Sequence, residues 1–230
     1  MKGIFYGIGI GPGDPEHITL KAVRMMKEVD VIAAPGTDVK ETLAYRIAVQ
    51  AVPEIEQKEM LPIDMPMTMD KELLLKAHKR GAETIEKVLA EGKSLGFITL
   101  GDTTVYSTFS YLEKIVKEHG FETVYISGIT SFCAAAASLG IPLTEWQEPL
   151  HVIPAVHQLD DKLALDGSYV LMKSGRQMPK VKEILRASGR KVNMVENCGL
   201  PNENKYYSVE EIPDGAGYFS LIIAKENKKK

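Results

Sequence analysis

The sequence predicts an α/β fold made of two α/β domains, the first with a mostly parallel five-stranded sheet and the second with a mixed sheet. Three observations lead to this prediction. Short apolar runs alternate with segments of helical period through the first half of the chain, which is typical of strands and helices in βαβ units. The second half has more predicted strands and fewer helices. The 230 residues, 44% of them hydrophobic and 26% charged, are enough to bury two small cores.

The first predicted strand covers residues 3–10, a continuous apolar run that ends at the cluster GPGDP at 11–15. Such a run is typical of a strand that is buried on both faces and enters a tight loop. A helix follows over 16–29, because its apolar residues repeat with a helical period. The same alternation predicts strands at 31–34, 60–63, 94–100 and 124–126, and helices at 41–52, 71–90, 105–119 and 131–139.

The second half of the chain is predicted to be richer in strands. Its predicted strands lie near 151–155, 169–172, 192–196, 206–209 and 218–224, and its one clear helix covers 179–187. We place the domain boundary after residue 128, which gives an N-terminal domain of residues 1–128 and a C-terminal domain of residues 129–230. Neither an internal repeat nor a low-complexity linker marks this boundary.

Charge and composition argue against several classes of protein. The net charge of −3 disfavours a nucleic-acid-binding protein, which needs a basic excess or a basic face to neutralise phosphates. No apolar run approaches the roughly 18 residues of a membrane span, and the glycine-broken start does not resemble a signal peptide. Cys133 and Cys198 are too few for a disulfide framework and lack metal-ligand spacing. We therefore expect a cytoplasmic protein without a resident metal ion or a membrane partner.

The glycine-rich loop after the first strand is the first candidate site. Glycines there let a backbone approach a pyrophosphate at a helix N-terminus, as in dinucleotide-binding domains. The spacing argues against a dinucleotide, because the glycines at 7, 9, 11 and 13 recur every second residue rather than as G-x-G-x-x-G. The Gly92-Lys93-Ser94 segment also fails as a P-loop, since Lys87 stands where the earlier glycine is needed. The alternative is a loop that only turns the chain.

The second candidate site is the segment LGDTTVYST at 100–108, which follows the predicted strand 94–100. Ligands of open parallel sheets bind outside the carboxyl ends of the strands, so a Gly-Asp pair followed by hydroxyl side chains is a candidate there. The Asp102 carboxylate is able to accept hydrogen bonds from ribose hydroxyls or from an amine. The alternative is that Asp102 or Thr103 only caps the next helix.

The third candidate site is SGITSFC at 127–133, where the strand 124–126 enters a helix with four alanines. Small residues at 133–138 allow close approach of another helix or a flat ligand, and packing alone is the alternative. The three clusters follow the first, fourth and fifth strands. Because the carboxyl ends of parallel strands lie at one edge of a sheet, we expect the three loops to share that edge.

The three clusters, in this order, resemble the tetrapyrrole methylase family, the S-adenosylmethionine-dependent enzymes of sirohaem and cobalamin synthesis that also include diphthine synthase. GIGIGPGDPEHITLKAVRMMKEVDVIAAP at 7–35 is similar to the family's opening motif. LGDTTVYST is similar to its Gly-Asp-Pro motif, and SGITSFCAAAASLGIPL at 127–143 to its Pro-Gly-x-Thr/Ser-Ser motif. The chain departs from the family at Thr103 and Ser127, where proline is usual.

Within the family, YSTFSYL at 106–112 and the Met65-Pro66-Met67 segment resemble the branch that methylates C20 of precorrin-2 or cobalt-factor II. Branches that act on C11, C17 or uroporphyrinogen III usually have glycine where Ser107 stands. The resemblance implies methyl transfer from S-adenosylmethionine to C20 of such a tetrapyrrole in cobalamin biosynthesis, with S-adenosylhomocysteine as product. It favours the cobalt form. The alternatives are methylation of another position, a non-catalytic tetrapyrrole carrier, and a nucleotide-dependent enzyme that both spacing tests disfavour.

The resemblance also implies a cofactor bound in the cleft between the two domains, a tetrapyrrole substrate, and usually a homodimer. Met172 matches the methionine that packs the adenine, and Cys198 stands at the contact position of the Asn197-Cys198-Gly199 turn. The full set of implied cofactor contacts is Pro12, Leu100, Gly101, Asp102, Val105, Thr130, Ser131, Met172 and Cys198.

Methyl transfer from a sulfonium needs alignment and exclusion of water rather than a nucleophilic side chain. The proton lost from the acceptor carbon goes to solvent or to a base, for which Asp102 or Asp14 is the first candidate and Tyr106 the second. Basic residues are candidates for the substrate carboxylates, methionines for its flat ring and histidines for a bound cobalt ion. These residues are Lys173, Arg176 and Lys180; Met65, Met67 and Met69; and His151 and His157. A solvated basic face, ordinary packing and ordinary strand or loop histidines are the respective alternatives.

Overall fold

A computed structural model of the chain describes residues 2–66, 68, 70–154 and 163–227, apart from the side chain of Arg176. The chain divides into two units, Met1–Thr130 and Ser131–Lys230, which we call the first and the second unit. This division lies two residues beyond the boundary expected from the sequence, and the exact extent of each domain stays a prediction.

Five strands of the first unit form a fully parallel sheet, as predicted. They are β1 (Ile4–Gly9), β2 (Val31–Pro35), β3 (Glu59–Ile63), β4 (Leu95–Thr99) and β5 (Glu122–Ile126). Their order in the sheet is β3-β2-β4-β1-β5. β1 thus pairs with β4 on one side and with β5 on the other. The strands that precede the three candidate loops are therefore direct neighbours.

Side-chain caps begin three of the four α-helices found in the described part of the first unit. The helices are α1 (Leu20–Glu28), α2 (Leu43–Ala51), α3 (Lys71–Ala90) and α4 (Phe109–Glu118). Thr19, Thr42 and Asp70 stand directly before α1, α2 and α3, and their side-chain oxygens accept hydrogen bonds from backbone N–H groups of the first turn. These donors have no partner inside a helix, so the caps determine where the helices start.

Two predicted helix starts are wrong by four residues each. The helix predicted from residue 16 begins at Leu20, because Thr19 is its cap and Pro15–His17 form a separate 3₁₀ turn. The helix predicted from residue 105 begins at Phe109. The Asp102 and Ser107 side chains there each accept a hydrogen bond from a backbone N–H two residues further on, which favours a loop over a helix.

The core on one face of the first sheet is built around three phenylalanines. Phe5, Phe97 and Phe109 pack together with side chains of α3 and α4. Gly7 makes room for this cluster, since a Cβ at Gly7 would lie 2.5 Å from the Phe109 ring. The aromatic side chain of α4 thereby holds that helix close to β1.

The second unit contains a mixed sheet, as predicted. Its strands are β6 (Leu150–Pro154), β7 (Ser168–Met172), β8 (Lys191–Glu196), β9 (Asn204–Tyr206) and β10 (Ser220–Lys225), in the order β6-β7-β10-β8-β9. β10 is antiparallel to β7 and to β8, so these two strands run in the same direction. The strand predicted at 206–209 is observed earlier in the chain as β9 and ends at Tyr206, because Tyr207 N and Ser208 Oγ donate hydrogen bonds to Glu211 in a turn.

Two helices of the second unit, α5 (Ser131–Leu139) and α6 (Met178–Ser188), pack on opposite faces of its sheet. Ala134, Ala135 and Ala136 lie in one hydrophobic cluster with alternate residues of β7, β8 and β10. The expectation that these small residues face another helix or a flat ligand is therefore wrong. Their short side chains bring α5 close to a β-sheet instead. Within the described residues, no helix combines the length and the apolar character needed to cross a membrane.

Candidate functional site

Three loops leave neighbouring strands at the carboxyl edge of the first sheet, as the sequence predicts. They follow β1, β4 and β5, which are adjacent in the sheet. The first two loops are joined through their backbones, since Gly11 N donates to Gly101 O at 3.2 Å and Gly101 N to Gly11 O at 2.8 Å. Both glycines have positive φ, +75° and +70°, which a glycine adopts without steric cost. We call the three loops together the carboxyl-edge loops.

The carboxyl-edge loops come so close that side chains do not fit between them. A Cβ on Gly9 would lie 2.6 Å from Gly128 N and 2.8 Å from Gly101 O. A Cβ on Gly128 would lie 2.7 Å from the Gly9 carbonyl carbon and overlap the Gly101 carbonyl oxygen. Because these neighbours are backbone atoms, they cannot move aside as a flexible side chain would. Glycine at these positions is therefore required by the packing of three strand ends.

The Asp102 carboxylate links two of these loops. Its Oδ2 accepts a hydrogen bond from Gly128 N at 2.9 Å, and its Oδ1 accepts from Thr104 N at 2.7 Å and from the Thr104 hydroxyl. The residue is only 7% exposed. The alternative that Asp102 or Thr103 caps the next helix is wrong, because α4 begins at Phe109 and its N-cap position is Thr108. A carboxylate with both oxygens engaged in this way is suited to hold the loops in place.

Two further hydrogen bonds join the loops near Thr103 and Ser127, where the family that the sequence resembles usually has proline; the first depends on the Thr103 hydroxyl, and the second uses only the backbone of Ser127. Thr103 is fully buried, and its hydroxyl donates to the carbonyl of Ile126 at the end of β5, at 3.4 Å. The carbonyl of Ser127 accepts a hydrogen bond from the Thr19 hydroxyl at 3.4 Å. Threonine in place of proline thus supplies a bond across the edge that proline does not supply.

The remaining predicted residues of the first and second loops differ in exposure. Pro12, Leu100 and Val105 are partly buried. Tyr106 is 47% exposed and has φ of +50°, a left-handed conformation that non-glycine residues seldom adopt. Such backbone conformations occur often at functional sites, where the surrounding structure stabilises them.

Thr130 and Ser131 stand where the third loop enters α5. Thr130 is the last residue of the first unit and Ser131 the first of the second, and both are partly buried. The Thr130 hydroxyl oxygen is itself buried, and it has no hydrogen-bond partner among the residues that the structure describes. A buried hydroxyl without a partner costs free energy, so this atom is suited to bond to a ligand.

The second unit brings its two predicted contacts to the carboxyl edge of its own sheet. Met172 ends β7, and Cys198 lies two residues after the end of β8, which runs in the same direction. The residues that follow the two strands, Lys173 and Asn197, have positive φ of 60° and 56°. Two strained turns therefore flank this edge.

The Cys198 thiol is 9% exposed and lies against α5. Burial, followed by the nearby charge of Glu203 and a hydrogen bond to it, raises the pKa of Cys198 to about 11. The thiol is therefore protonated at neutral pH and is not a nucleophile. Sequence reasoning missed Glu203, because a carboxylate in the turn-rich segment PNENK at 201–205 has no pattern that distinguishes it from a solvated charge.

The other residues that the sequence suggested as substrate contacts have other contacts, are exposed, or lie outside the described residues. Met65 packs against the first core, in agreement with the packing alternative. The ring of His151 stacks on Tyr169, and its Nε2 hydrogen-bonds to the Asp166 carbonyl at 2.9 Å. Lys173 and Lys180 are exposed. Met67, Met69, His157 and the Arg176 side chain lie outside the described residues. Over the part of the chain that the structure describes, no group of three or more His, Cys, Asp or Glu residues is arranged to hold a metal ion.

Comparison with known proteins supports the family resemblance found in the sequence. Residues 5–213 match the family model described as tetrapyrrole (corrin/porphyrin) methylases. The chain is 35% identical over 228 residues to the probable cobalt-precorrin-2 C(20)-methyltransferase of Methanocaldococcus jannaschii, covering 97% of this chain and 96% of that protein. It is 30% identical over 234 residues to the precorrin-2 C(20)-methyltransferase of a Sinorhizobium species, covering 96% and 94%.

A solved structure has the same fold. The uroporphyrin-III C-methyl transferase from Thermus thermophilus, crystallised with S-adenosylhomocysteine, aligns with a TM-score of 0.70 and 21% identity over 97% of this chain and 98% of that one. Since the family model spans all three carboxyl-edge loops and most of the second unit, this chain belongs to the tetrapyrrole (corrin/porphyrin) methylases.

Proposed function

We propose that this protein transfers the methyl group of S-adenosylmethionine to C20 of precorrin-2 or its cobalt complex in cobalamin biosynthesis. The observation that carries the proposal is the 35% identity, over 97% of the chain, to a relative named for that activity. The geometry agrees with it, because the three loops with the family's motifs are bonded to one another at one sheet edge. We favour the cobalt complex as acceptor, since the relative named for it is more similar than the one named for precorrin-2.

We propose that two sets of residues bind the cofactor, one in each unit, and that the two units are the methylase domains. In the first unit, glycine backbones without side chains and the unpartnered Thr130 hydroxyl suit a polar ligand that comes close to the main chain. In the second unit, the partly buried Met172 offers an adaptable apolar surface for a flat ring. The proposed contacts are Pro12, Leu100, Gly101, Asp102, Val105, Thr130, Ser131, Met172 and Cys198.

S-adenosylmethionine supplies the methyl group on a sulfonium, whose departure needs no protonation. The work left to the protein is to hold donor and acceptor in line and to exclude water. The hydrogen bonds between the carboxyl-edge loops serve this purpose, because a preorganised loop loses little further entropy when a ligand binds. No protein nucleophile is required.

The acceptor carbon loses a proton during methylation, and the contacts of Asp102 bear on whether Asp102 receives it. Its oxygens already accept hydrogen bonds from Gly128 N and from Thr104, so we favour a positioning role over the predicted role as a base. Asp14 accepts one hydrogen bond, from Glu16 N at 2.8 Å, and Tyr106 is the more exposed candidate. We therefore propose that the proton passes to solvent, to Tyr106 or to Asp14, and not to Asp102.

We propose that exposed basic residues beside the second edge bind the carboxylates of the tetrapyrrole. Lys173 follows β7 directly, and Lys180 lies in the first turn of α6. Both are exposed, as a contact to a bulky anionic substrate requires. We further propose a cytoplasmic homodimer, which sedimentation equilibrium tests through its mass relative to the 25.4 kDa chain.

The proposed activity is tested by anaerobic incubation with S-adenosylmethionine and, in parallel, precorrin-2 or cobalt-factor II. Product mass gives the number of methyl groups, and NMR identifies the methylated carbon. We expect one added methyl group at C20, inhibition by S-adenosylhomocysteine, and a preference for the cobalt complex. Methylation at C11, C17 or of uroporphyrinogen III would contradict the C20 assignment. Binding of tetrapyrrole and cofactor without methyl transfer would favour a carrier.

A further inference from the structure

The partly buried carboxylate of Glu203 holds the turn that contains Cys198. Glu203 Oε2 accepts a hydrogen bond from Gly199 N at 2.7 Å, and Oε1 accepts one from Ser138 Oγ at 2.6 Å. Lys205 Nζ lies 3.3 Å from the same Oε1. The charge of this carboxylate also contributes to the raised pKa of the Cys198 thiol. Three donors, from Ser138, Gly199 and Lys205, therefore converge on one side chain.

The turn needs such a partner because its backbone is strained. Asn197 and Gly199 both have positive φ, +56° and +77°, on either side of Cys198. A left-handed conformation is less favourable for asparagine than for glycine, which has no Cβ. The backbone bonds of the turn, from Leu200 N to Asn197 O at 2.9 Å and from Glu203 N to Leu200 O at 3.0 Å, bring the Glu203 side chain back over Gly199.

The same carboxylate connects the turn to α5. Ser138 lies in the last turn of α5, where its backbone carbonyl accepts a hydrogen bond from Lys205 Nζ at 2.7 Å. A lysine at a helix C-terminus also interacts favourably with the helix dipole. Ser138, Lys205 and Glu203 thus form a closed ring of contacts between α5 and the segment after β8.

The charge of Glu203 determines which group accepts in these hydrogen bonds. Burial works against ionisation of Glu203, but hydrogen bonds from Ser138, Gly199 and Lys205 outweigh it and leave its pKa below the usual value. The Cys198 thiol keeps its proton because burial raises its pKa. At neutral pH the carboxylate is therefore the acceptor in each of these bonds, and the thiol is protonated.

We infer that Glu203 is a positioning residue for the cofactor: it fixes the Asn197–Gly199 turn and thereby sets the affinity for S-adenosylmethionine. The inference rests on the proposed function, in which Cys198 of this turn contacts the cofactor. It adds a residue that the family motifs quoted above do not contain. It also gives a role to an acidic side chain whose charge is opposed by partial burial.

Three variants test the inference. Glu203→Ala removes the acceptor of Gly199 N. In Glu203→Gln the amide oxygen still accepts from Gly199 N, while the amide NH₂ donates to the Ser138 hydroxyl, which is able to act as either partner; only the contact with Lys205 is lost. Glu210→Ala is the matched control, because Glu210 is also ion-paired, to Arg186 at 2.7 Å, in a different part of the second unit.

Isothermal titration with S-adenosylhomocysteine and steady-state kinetics give the first readout. For Glu203→Ala we expect Kd and the KM for S-adenosylmethionine to rise about tenfold, as for the loss of one charge-assisted hydrogen bond. The kcat and the KM for the tetrapyrrole stay within about twofold. Glu203→Gln stays within about threefold of the wild type in Kd, and Glu210→Ala is unchanged. Parallel changes in both KM values and kcat would overturn the inference, since they indicate general damage.

Alkylation of the two cysteines gives a readout that needs no catalysis. Cys133 is exposed and Cys198 buried, so iodoacetamide labelling followed by peptide mass spectrometry reports on the turn with an internal reference. We expect Cys198 of Glu203→Ala to react at least tenfold faster than in the wild type, with Cys133 unchanged, and S-adenosylhomocysteine to protect Cys198. Equal labelling of Cys198 in both proteins would overturn the inference.

The two proposals fail in different ways. If the wild type does not bind S-adenosylhomocysteine, the proposed function is wrong and the inference falls with it. If the wild type binds and turns over but Glu203→Ala has the same Kd, only the inference is wrong.

Discussion

Replacement of Asp102 by asparagine distinguishes a positioning carboxylate from a catalytic base. The carboxylate accepts hydrogen bonds from two backbone N–H groups, Gly128 N at 2.9 Å and Thr104 N at 2.7 Å, through different oxygens. An asparagine amide offers one oxygen and one NH₂. In either orientation one backbone N–H of the buried junction therefore faces another donor.

The size of the effect follows from these two bonds. Loss of a hydrogen bond to a charged acceptor, with a buried donor left unpaired, costs about 2 kcal/mol. That corresponds to roughly a thirtyfold change in an equilibrium constant. We expect part of it to lower the free energy of unfolding and part to weaken cofactor binding, because the separated loops contain proposed cofactor contacts.

Three measurements on Asp102→Asn separate the roles. Urea denaturation gives the free energy of unfolding, isothermal titration gives the Kd for S-adenosylhomocysteine, and single-turnover kinetics at saturating cofactor give the rate of methyl transfer. We expect lower stability, weaker binding and a rate within about threefold of the wild type. Asp38→Asn is the control, because Asp38 accepts a hydrogen bond from Lys40 N, which an amide oxygen retains, and it lies outside the proposed contacts. The reasoning is refuted if Asp102→Asn keeps wild-type stability and affinity while the single-turnover rate falls about 100-fold or more, as loss of a general base requires.

Three further changes test the site and its surroundings. Gly128→Ala should lower the free energy of unfolding by about 3 kcal/mol, because the added Cβ overlaps the Gly101 carbonyl. In the control Gly120→Ala nothing lies within 4 Å of the added Cβ, and the free energy of unfolding should fall by about 1 kcal/mol. Equal losses in urea denaturation would contradict this packing argument. Thr103→Val should cost about 0.5–1 kcal/mol through loss of its hydroxyl bond to the end of β5, and an unchanged denaturation midpoint would show that the bond adds nothing. Between pH 9 and about pH 11 the free energy of unfolding of the wild type should fall by about 2 kcal/mol relative to that of Cys198→Ala. The reason is that the thiol of the unfolded chain releases its proton at a lower pH than the thiol of the folded chain. Parallel plots of unfolding free energy against pH for the two proteins would refute the raised pKa of this thiol.

The fold was predictable because its elements have strong local signals. The predicted helix 71–90 agrees with α3 at both ends, since Asp70 is a cap and the apolar residues repeat with a helical period. The predicted starts of α1 and α4 failed for a common reason. Thr19, Asp102 and Ser107 bond to nearby backbone N–H groups, and such bonds compete with helix formation over a few residues that periodicity does not resolve.

The candidate site was predictable in its loops but not in its bonds. Parallel strands place their carboxyl ends at one edge, so the clusters after β1, β4 and β5 were expected together. The structure was needed to show that Asp102 accepts a hydrogen bond from Gly128 N and that Glu203 accepts one from Gly199 N. The residues of these two pairs lie 26 and 4 positions apart in the chain. The first depends on pairing between distant strands, and the second on a left-handed turn, neither of which has a local sequence signal.

The sequence by itself determined the α/β class, the sites of chain reversal and the family, because apolar periodicity, glycine-rich turns and ordered motifs are local properties. Only the tertiary structure decided that β1 lies between β4 and β5, that Gly9 and Gly128 leave no room for side chains, and that α5 packs its alanines against a sheet. It also decided that Asp102 and Glu203 act as hydrogen-bond acceptors for backbone groups. The physical reason is that strand order, close backbone approach and the burial of charge arise from contacts between residues far apart in the chain, and their free energies depend on the packed state as a whole.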